Sequence, residues 1–302
     1  SDSGGGNLSV RTTTSLEEAL PGADFLITTV GVGGDPGWRI DIDIPEKFGI
    51  VQTVGDTVGP GGISRAQRMI PVLLEVARRA EHLAPDAVLF NFTNPMTACC
   101  TALVRETRLP VIGLCHGLAG TVRRLAEILD RPYKNLKARA AGINHLTWID
   151  RLTHHDEDLM PGLTRLVTEG EGTGQPVSDL LFSVFGRYPS PGDRHVSEFF
   201  DLFLNERNDH GNRWGLSTLQ TDQVIEGRGR AWRRITEVAD GTAPAEEFTG
   251  GDPEEVIPIM DAMLSGRVYE SVGNLPNDGL IDNLPPQAIV EVPVVVEDGK
   301  FR

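Results

Sequence analysis

Three short polar clusters carry residue types that can do chemistry, and each follows or adjoins an apolar run. Asn91-Phe-Thr-Asn94-Pro95 closes the run beginning at Ala87, Gly113-Leu-Cys115-His116-Gly117 closes the run beginning at Pro110, and Gly142-Ile-Asn144-His145 precedes Leu146-Thr-Trp-Ile-Asp150. Pro95 disfavours helical geometry at the residue before it, so Asn94 is expected in an extended turn at a sheet edge. Cys115 offers a soft metal ligand and His116 a proton shuttle. His145 offers a second imidazole. Each cluster has a structural alternative: a capping Asn, a buried thiol beside an exposed His, and a core His satisfied by a carbonyl. Thirty positions separate Cys115 from His145, so spacing alone does not join them into one site. A fourth string, Gly55-Asp-Thr-Val-Gly-Pro-Gly-Gly62 followed by Arg65, allows close backbone approach to an anionic ligand or simply a tight turn.

The elements that must position these clusters read as an α/β chain. Asp24–Val30 is a buried-strand run broken by Gly31-Val-Gly33-Gly34, the layout of a parallel sheet whose ligands sit beyond the carboxyl ends of its strands. Ser15–Ala23 is expected to be helical. A long amphipathic helix is expected over Ser64–Leu83, with Pro71 kinking it or marking its start. Strand, loop and helix then repeat: Ala87–Phe92, Met96–Glu106, Pro110–Cys115 and Gly120–Leu129, the pattern of βαβ units. After Ala141 the alternation is lost. Leu146–Asp150 and Ala288–Val296 read as strands, the latter placed at an edge or bulge by Pro293. Residues 169–175 and 240–254 read as loops. The expected organisation is a partial Rossmann-like domain over 1–140 and an α+β substrate- and metal-binding domain over 141–302.

Composition narrows the function classes. The 302 residues carry 28 basic and 43 acidic side chains, a formal charge of −15, which argues against a nucleic-acid partner. No stretch approaches the roughly 18 apolar residues of a membrane span. The three cysteines, 99, 100 and 115, form no disulfide framework and fit a reducing, cytoplasmic compartment.

Taken in order, the clusters resemble the motif series of glycoside hydrolase family 4. The matching pieces are Ala19-Leu-Pro-Gly-Ala-Asp24 with Gly31-Val-Gly-Gly34, Ile44-Pro-Glu-Lys-Phe-Gly49, and Gln52–Gly62. Asn91–Met96, Gly113–Gly117, Gly142–His145, Asn283-Leu-Pro-Pro and Val290-Glu-Val-Pro293 complete the series. The resemblance implies a Rossmann-like sheet with a substrate domain of the lactate/malate dehydrogenase C-terminal type, NAD and a divalent metal, typically Mn²⁺. It also implies a small glycoside substrate and a homo-oligomer, a dimer or tetramer. The implied reaction removes hydride from C3 of the sugar, acidifying C2; a base takes the C2 proton and the aglycone leaves from C1. Carried over by position, Cys115 and His145 become metal ligands, Asn94 a substrate and nicotinamide contact, and Asn144 a substrate contact. Gly31, Gly33 and Gly34 become cofactor contacts.

The tripeptide Cys115-His116-Gly117 resembles members acting on α-uronides, which points to an α-glucuronidase or α-galacturonidase, with α-galactosidase or α-glucosidase activity second. The C2 base, a Tyr in many members, falls in Gly186–Phe199, where Tyr188, Asp193 and His195 are candidates. The imidazole of His195 is suited to proton abstraction near neutrality. The family's opening strand and Gly-rich turn have no counterpart before Ser15, and a C-terminal helical part is expected beyond Val296, so the sequence reads as lacking both. A malate/lactate-type dehydrogenase and a cofactor-less pseudoenzyme or sugar-binding protein are the competing readings.

Overall fold

A computed structural model describes residues 9–244 and 255–302. The parallel part of its sheet is built from β1 (Phe25–Thr28), β2 (Val88–Asn91) and β3 (Val111–Gly113), in register at Phe25↔Val88 and Leu89↔Val111. Strands β2 and β3 are short and largely buried because both their faces are covered, whereas β1, at the end of the sheet, leaves Ile27 47% exposed. Leu89 turns to one side, where Met69, Leu73, Ala77 and Ala80 of α3 (Gly59–Leu83) meet Cys99 and Leu103 of α4 (Met96–Glu106). Phe90 turns to the other, against Val256 and Ile259 of α10 (Val256–Ser265). Burial of each such side chain is worth about 1.5–3 kcal/mol. Helix α3 begins at Gly59, well ahead of Pro71, so Pro71 is not its start.

The chain also forms α1 (Leu16–Ala19), shorter than the helical stretch the sequence predicts, and α2 (Gly34–Glu46), which its Gly and Pro content conceals. Trp38, Asp41, Ile42 and Pro45 make the buried face of α2, at the spacing of successive helical turns. Asp41, 1% exposed, holds Arg68 of α3 through both carboxylate oxygens at 2.8 and 2.5 Å. That pair fixes the angle between α2 and α3, and with it the loop that joins them.

Strand β3 continues into an antiparallel sheet. It meets β8 (Tyr269–Pro276) at Gly113↔Asn274; β8 pairs along its length with β9 (Ile289–Glu297). Beyond lie β4 (Leu136–Ile143), β5 (Leu146–His154) and β6 (Glu157–Asp158), while β7 (Tyr188–Ser190) pairs with β5 and β10 (Lys300–Phe301) with β9. Parallel and antiparallel strands thus share one sheet, and residue 140 lies within β4.

Strand β9 has neighbours on both sides, correcting the edge placement of Pro293. Val295 exchanges hydrogen bonds with Arg302, so residues 291, 293 and 295 direct their backbone groups to the same side. On that side β4 pairs at Glu291 and β10 at Val296 and Glu297. Pro293 faces the gap between them, where its missing N–H breaks no ladder.

The remaining helices are α5 (Gly117–Ile128), α6 (Met160–Thr168), α7 (Pro176–Phe185), the short α8 (Asp193–Val196) and α9 (Leu219–Ala239). Residues 169–175 form a loop, as expected; of the loop expected over 240–254, residues 245–254 lie outside the described residues, as does Gly4-Gly-Gly6. No helix among the described residues is long and apolar enough to cross a membrane.

Candidate active site

Four segments distant in sequence converge at one end of the sheet. Strands β4 and β5 form a hairpin closed by Ile143↔Leu146, which leaves Asn144 and His145 as its turn. His145 adopts φ +65° there, a left-handed conformation that costs a non-glycine residue about 1–2 kcal/mol. The imidazole is 5% exposed, and its Nδ1 lies 2.6 Å from Thr57 Oγ1. The same hydroxyl donates to Asp56 Oδ1 at 2.7 Å. A hydroxyl has one proton, so Thr57 must accept from His145. The neutral ring therefore carries its proton on Nδ1 and leaves the lone pair on Nε2.

The loop bearing Asp56 and Thr57 is pressed onto the first turn of α3. A Cβ on Gly61 would stand 2.7 Å from the Gly55 carbonyl oxygen, and one on Gly62 would stand 2.6 Å from the Thr57 carbonyl. The glycines thus serve close packing of the chain on itself. Gln52 braces the loop, accepting from Gly61 N at 2.8 Å and donating to the Val58 carbonyl at 2.9 Å.

His195, on α8, lies against His145 with ring centroids 4.2 Å apart and the ring planes tilted by 57°. Burial first, and the neighbouring His145 second, push its pKa down to about 3, with Asp56 opposing. It is therefore a neutral imidazole at physiological pH, and its buried Nδ1 has no hydrogen-bond partner among the described residues. Burial works to raise the Asp56 pKa, yet His145, His195, Thr57 and Arg65 together hold it below the usual value. One ligand atom each of Asp56, His145 and His195 lie within 4.8 Å of one another. Glu198 steadies the group from behind. Its Oε1 accepts from Val54 N at 2.6 Å and Gly55 N at 2.8 Å, while burial pushes its pKa up to about 7.

Cys115 is not a member of that group of three. It sits just past β3, where Sγ accepts from Gly117 N at 3.4 Å. Burial, then the carboxylate of Glu291, push its thiol up to about 12, while a hydrogen bond from Asn144 opposes them. Asn144 is buried and donates to Glu291 Oε2 at 2.8 Å; Thr147 and Asn274 donate to the same carboxylate at 2.7 and 3.0 Å. His116 is exposed at the start of α5. Asn94 is spent locally, its Oδ1 accepting from Met96 N and its carbonyl from Arg65 Nε at 3.1 Å. Gly31, Gly33 and Gly34 form the turn after β1, where Gly33 has φ +86° and a Cβ on Gly31 would meet nothing within 4 Å.

The other two base candidates lie apart. Tyr188 is 0% exposed in the core against Phe182, and its hydroxyl bonds Thr173 Oγ1 at 2.7 Å. Asp193 accepts from Val177 N, Ser178 N and Ser178 Oγ, so both oxygens cap the start of α7. Sequence reasoning missed Asp56, Thr57, Glu198 and Glu291 as site residues. For Glu291 a signal existed: an acidic residue inside the run Ile289–Val296 cannot stay buried without dedicated donors.

The model of the family 4 glycosyl hydrolases matches residues 1–131, and the model of that family's C-terminal domain matches residues 140–302. The chain belongs to glycosyl hydrolase family 4. Two relatives from Bacillus subtilis are each 32% identical: an alpha-galactosidase, over 94% of this chain and 66% of its own length, and an alpha-galacturonidase, over 96% and 69%. The chain thus spans about two thirds of the curated relatives it matches. The 6-phospho-alpha-glucosidase from gut microorganisms, solved with NAD and Mn²⁺, superposes with a TM-score of 0.77 at 20% identity, over 96% of this chain and 68% of that one. The family's fold extends more distantly to lactate dehydrogenase: the Eimeria maxima enzyme gives a TM-score of 0.52 at 12% identity, over 96% and 68%. The fold is the expected α/β class, a Rossmann-like parallel sheet joined to a dehydrogenase-type second half.

Proposed function

We propose that this family 4 chain serves an NAD- and divalent-metal-dependent glycosidase acting on α-glycosides, with α-galacturonides or α-glucuronides favoured. The observation that carries the reading is the convergence of Asp56, His145 and His195 within 4.8 Å. Two imidazoles and a carboxylate suit Mn²⁺ or another borderline divalent ion. The unpartnered Nδ1 of His195 and the free Nε2 of His145 are the donors such an ion requires. Cys115 would join them only as a thiolate, so its ligation requires the ion to displace its proton. The open Cβ side of Gly31, at the carboxyl end of β1, fits a dinucleotide approaching the backbone.

When bound, these groups supply reversible hydride removal and polarisation of the sugar oxygens. The chain's own side chains do the rest. His145, fixed as the Nδ1–H tautomer, presents Nε2; Asn144, anchored by Glu291, lies beside it; Asn94 stands at the end of β2. Of the three base candidates, only His195 lies at this group. A ring that ligates the ion keeps no lone pair for the C2 proton, and burial makes this imidazole a weak base, so His195 takes the base role only where the ion is held without it. The division at residue 140 is kept as part of this proposal, with 1–140 the cofactor half.

The test is turnover of p-nitrophenyl α-galacturonide and α-glucuronide, with and without NAD⁺ and Mn²⁺ under reducing conditions. Hydrolysis requiring both additives is the expected result. Hydrolysis indifferent to both removes the redox mechanism.

A further inference from the structure

His195 also lines a cavity of about 620 Å³, within the roughly 300–1,000 Å³ range of small-molecule sites. Arg124, Arg194 and Arg213 line it, in a chain whose overall charge is −15. Among the described residues none of the three has a carboxylate within 4.0 Å. Arg194 senses Glu198 and Asp56 without touching either. The Nε atoms of Arg124 and Arg194 are buried and meet no acceptor. Their side-chain hydrogen bonds go to neutral groups: Arg124 to the Pro191 carbonyl, Arg194 to the Thr53 carbonyl and Thr221 Oγ1. Asp193 is the one acidic residue of the lining, and its oxygens are consumed by α7. Three guanidiniums around one hollow without a counter-charge is an arrangement that an anionic ligand would complete, since the buried Nε donors of Arg124 and Arg194 are costly to leave unpaired.

We propose that Arg124, Arg194 and Arg213 form a subsite for a carboxylate carried by the substrate, selecting a hexuronic acid over a neutral hexose. The inference rests on the glycosidase reading of the adjoining site, because His195 is the wall the two share. A carboxylate is favoured over a phosphate for a local reason. Phosphates are typically held by backbone N–H groups at a helix start, and here the Val177 and Ser178 amides at the start of α7 already serve Asp193. What the cavity offers instead is guanidinium forks without free amides at that helix start, and such forks pair bidentately with a carboxylate unaided.

Calorimetry with galacturonate, galactose and galactose 6-phosphate, all with Mn²⁺ and NAD⁺ present, tests it on the full chain and on Arg124→Gln and Arg213→Gln. Galacturonate should bind at least tenfold tighter than either other sugar. That preference should fall tenfold in Arg124→Gln and severalfold in Arg213→Gln. Equal affinities, tighter binding of the phosphate, or a preference untouched in both variants overturns the subsite. Should Arg124→Gln fail to fold, Arg213→Gln decides, since Arg213 is exposed. Failure to hydrolyse any glycoside with the galacturonate preference intact would sink the glycosidase reading alone. Hydrolysis of α-galactosides without that preference would sink the subsite alone.

Discussion

Thr57 and His145, 88 positions apart in the chain, meet at 2.6 Å, and the hydroxyl between His145 and Asp56 decides which ring nitrogen holds the proton. The hydroxyl, held by the carboxylate, thus fixes the tautomer of the imidazole, as hydrogen-bond partners of metal-binding histidines generally do.

Thr57→Val removes this relay while nearly preserving shape. Mn²⁺ affinity should drop about tenfold to hundredfold, and Thr57→Ser should restore it. Metal titration measures both. Nitrogen NMR of His145 should show the Nδ1–H tautomer in the parent protein and a mixture in the valine variant. Unchanged affinity in Thr57→Val would leave the relay without a role in metal binding.

Glu198 makes stability depend on pH in a direction opposite to that of most carboxylates. Its folded pKa is raised to about 7 from 4.5, so the folded chain binds the extra proton between those values. The stability it contributes is fully present below about 4.5 and is lost as pH rises through 7. Glu198→Gln should therefore melt higher than the parent metal-free protein at pH 8, with the gap closing towards pH 5. A gap that stays constant across the range would show that the carboxyl does not titrate there.

Tyr188→Phe separates a buried phenol from a base. Losing the bond to Thr173 should cost about 1 kcal/mol, while Thr173 keeps Asp179 as an acceptor at 2.6 Å. Under the proposed assignment of His195, kcat should stay within about twofold. A loss of a hundredfold or more, with the fold intact by circular dichroism, would transfer the base assignment to Tyr188.

Much of the sheet was legible because its strands announce themselves: an apolar run, then glycine or a polar cluster, at β1, β2 and β3. Helix α2 was not, since Gly34, Pro36, Gly37 and Pro45 mask a buried face that depends on Asp41 finding Arg68 in space. His145 is legible by type, and Asp56 and Thr57 lie inside a glycine string that suggests either an anion cradle or a tight turn. Their pairing was not legible, because it is made by tertiary approach of a hairpin turn to the α2–α3 loop. Tyr188 marks the same limit: residue type does not reveal that its hydroxyl is already bound to Thr173.

The seam at Gly113 and Asn274 bears on how the chain reaches its native state. The Asn274 side chain bonds the Gly113 carbonyl across 161 positions, whereas β4 with β5 and β8 with β9 are hairpins closed by nearby sequence. Local hairpins form in microseconds, while distant pairings wait for a long loop to close. Gly113 must be bare for the closure to occur, since a Cβ there would stand 2.5 Å from Met96 Sδ and 2.9 Å from Asn274 Cβ. The two hairpins can each gather early, but the sheet becomes continuous only where distant strands join, at this seam and at Gly142↔Glu291 between β4 and β9. A side chain added at Gly113 would obstruct assembly of the whole molecule before it touched any chemistry.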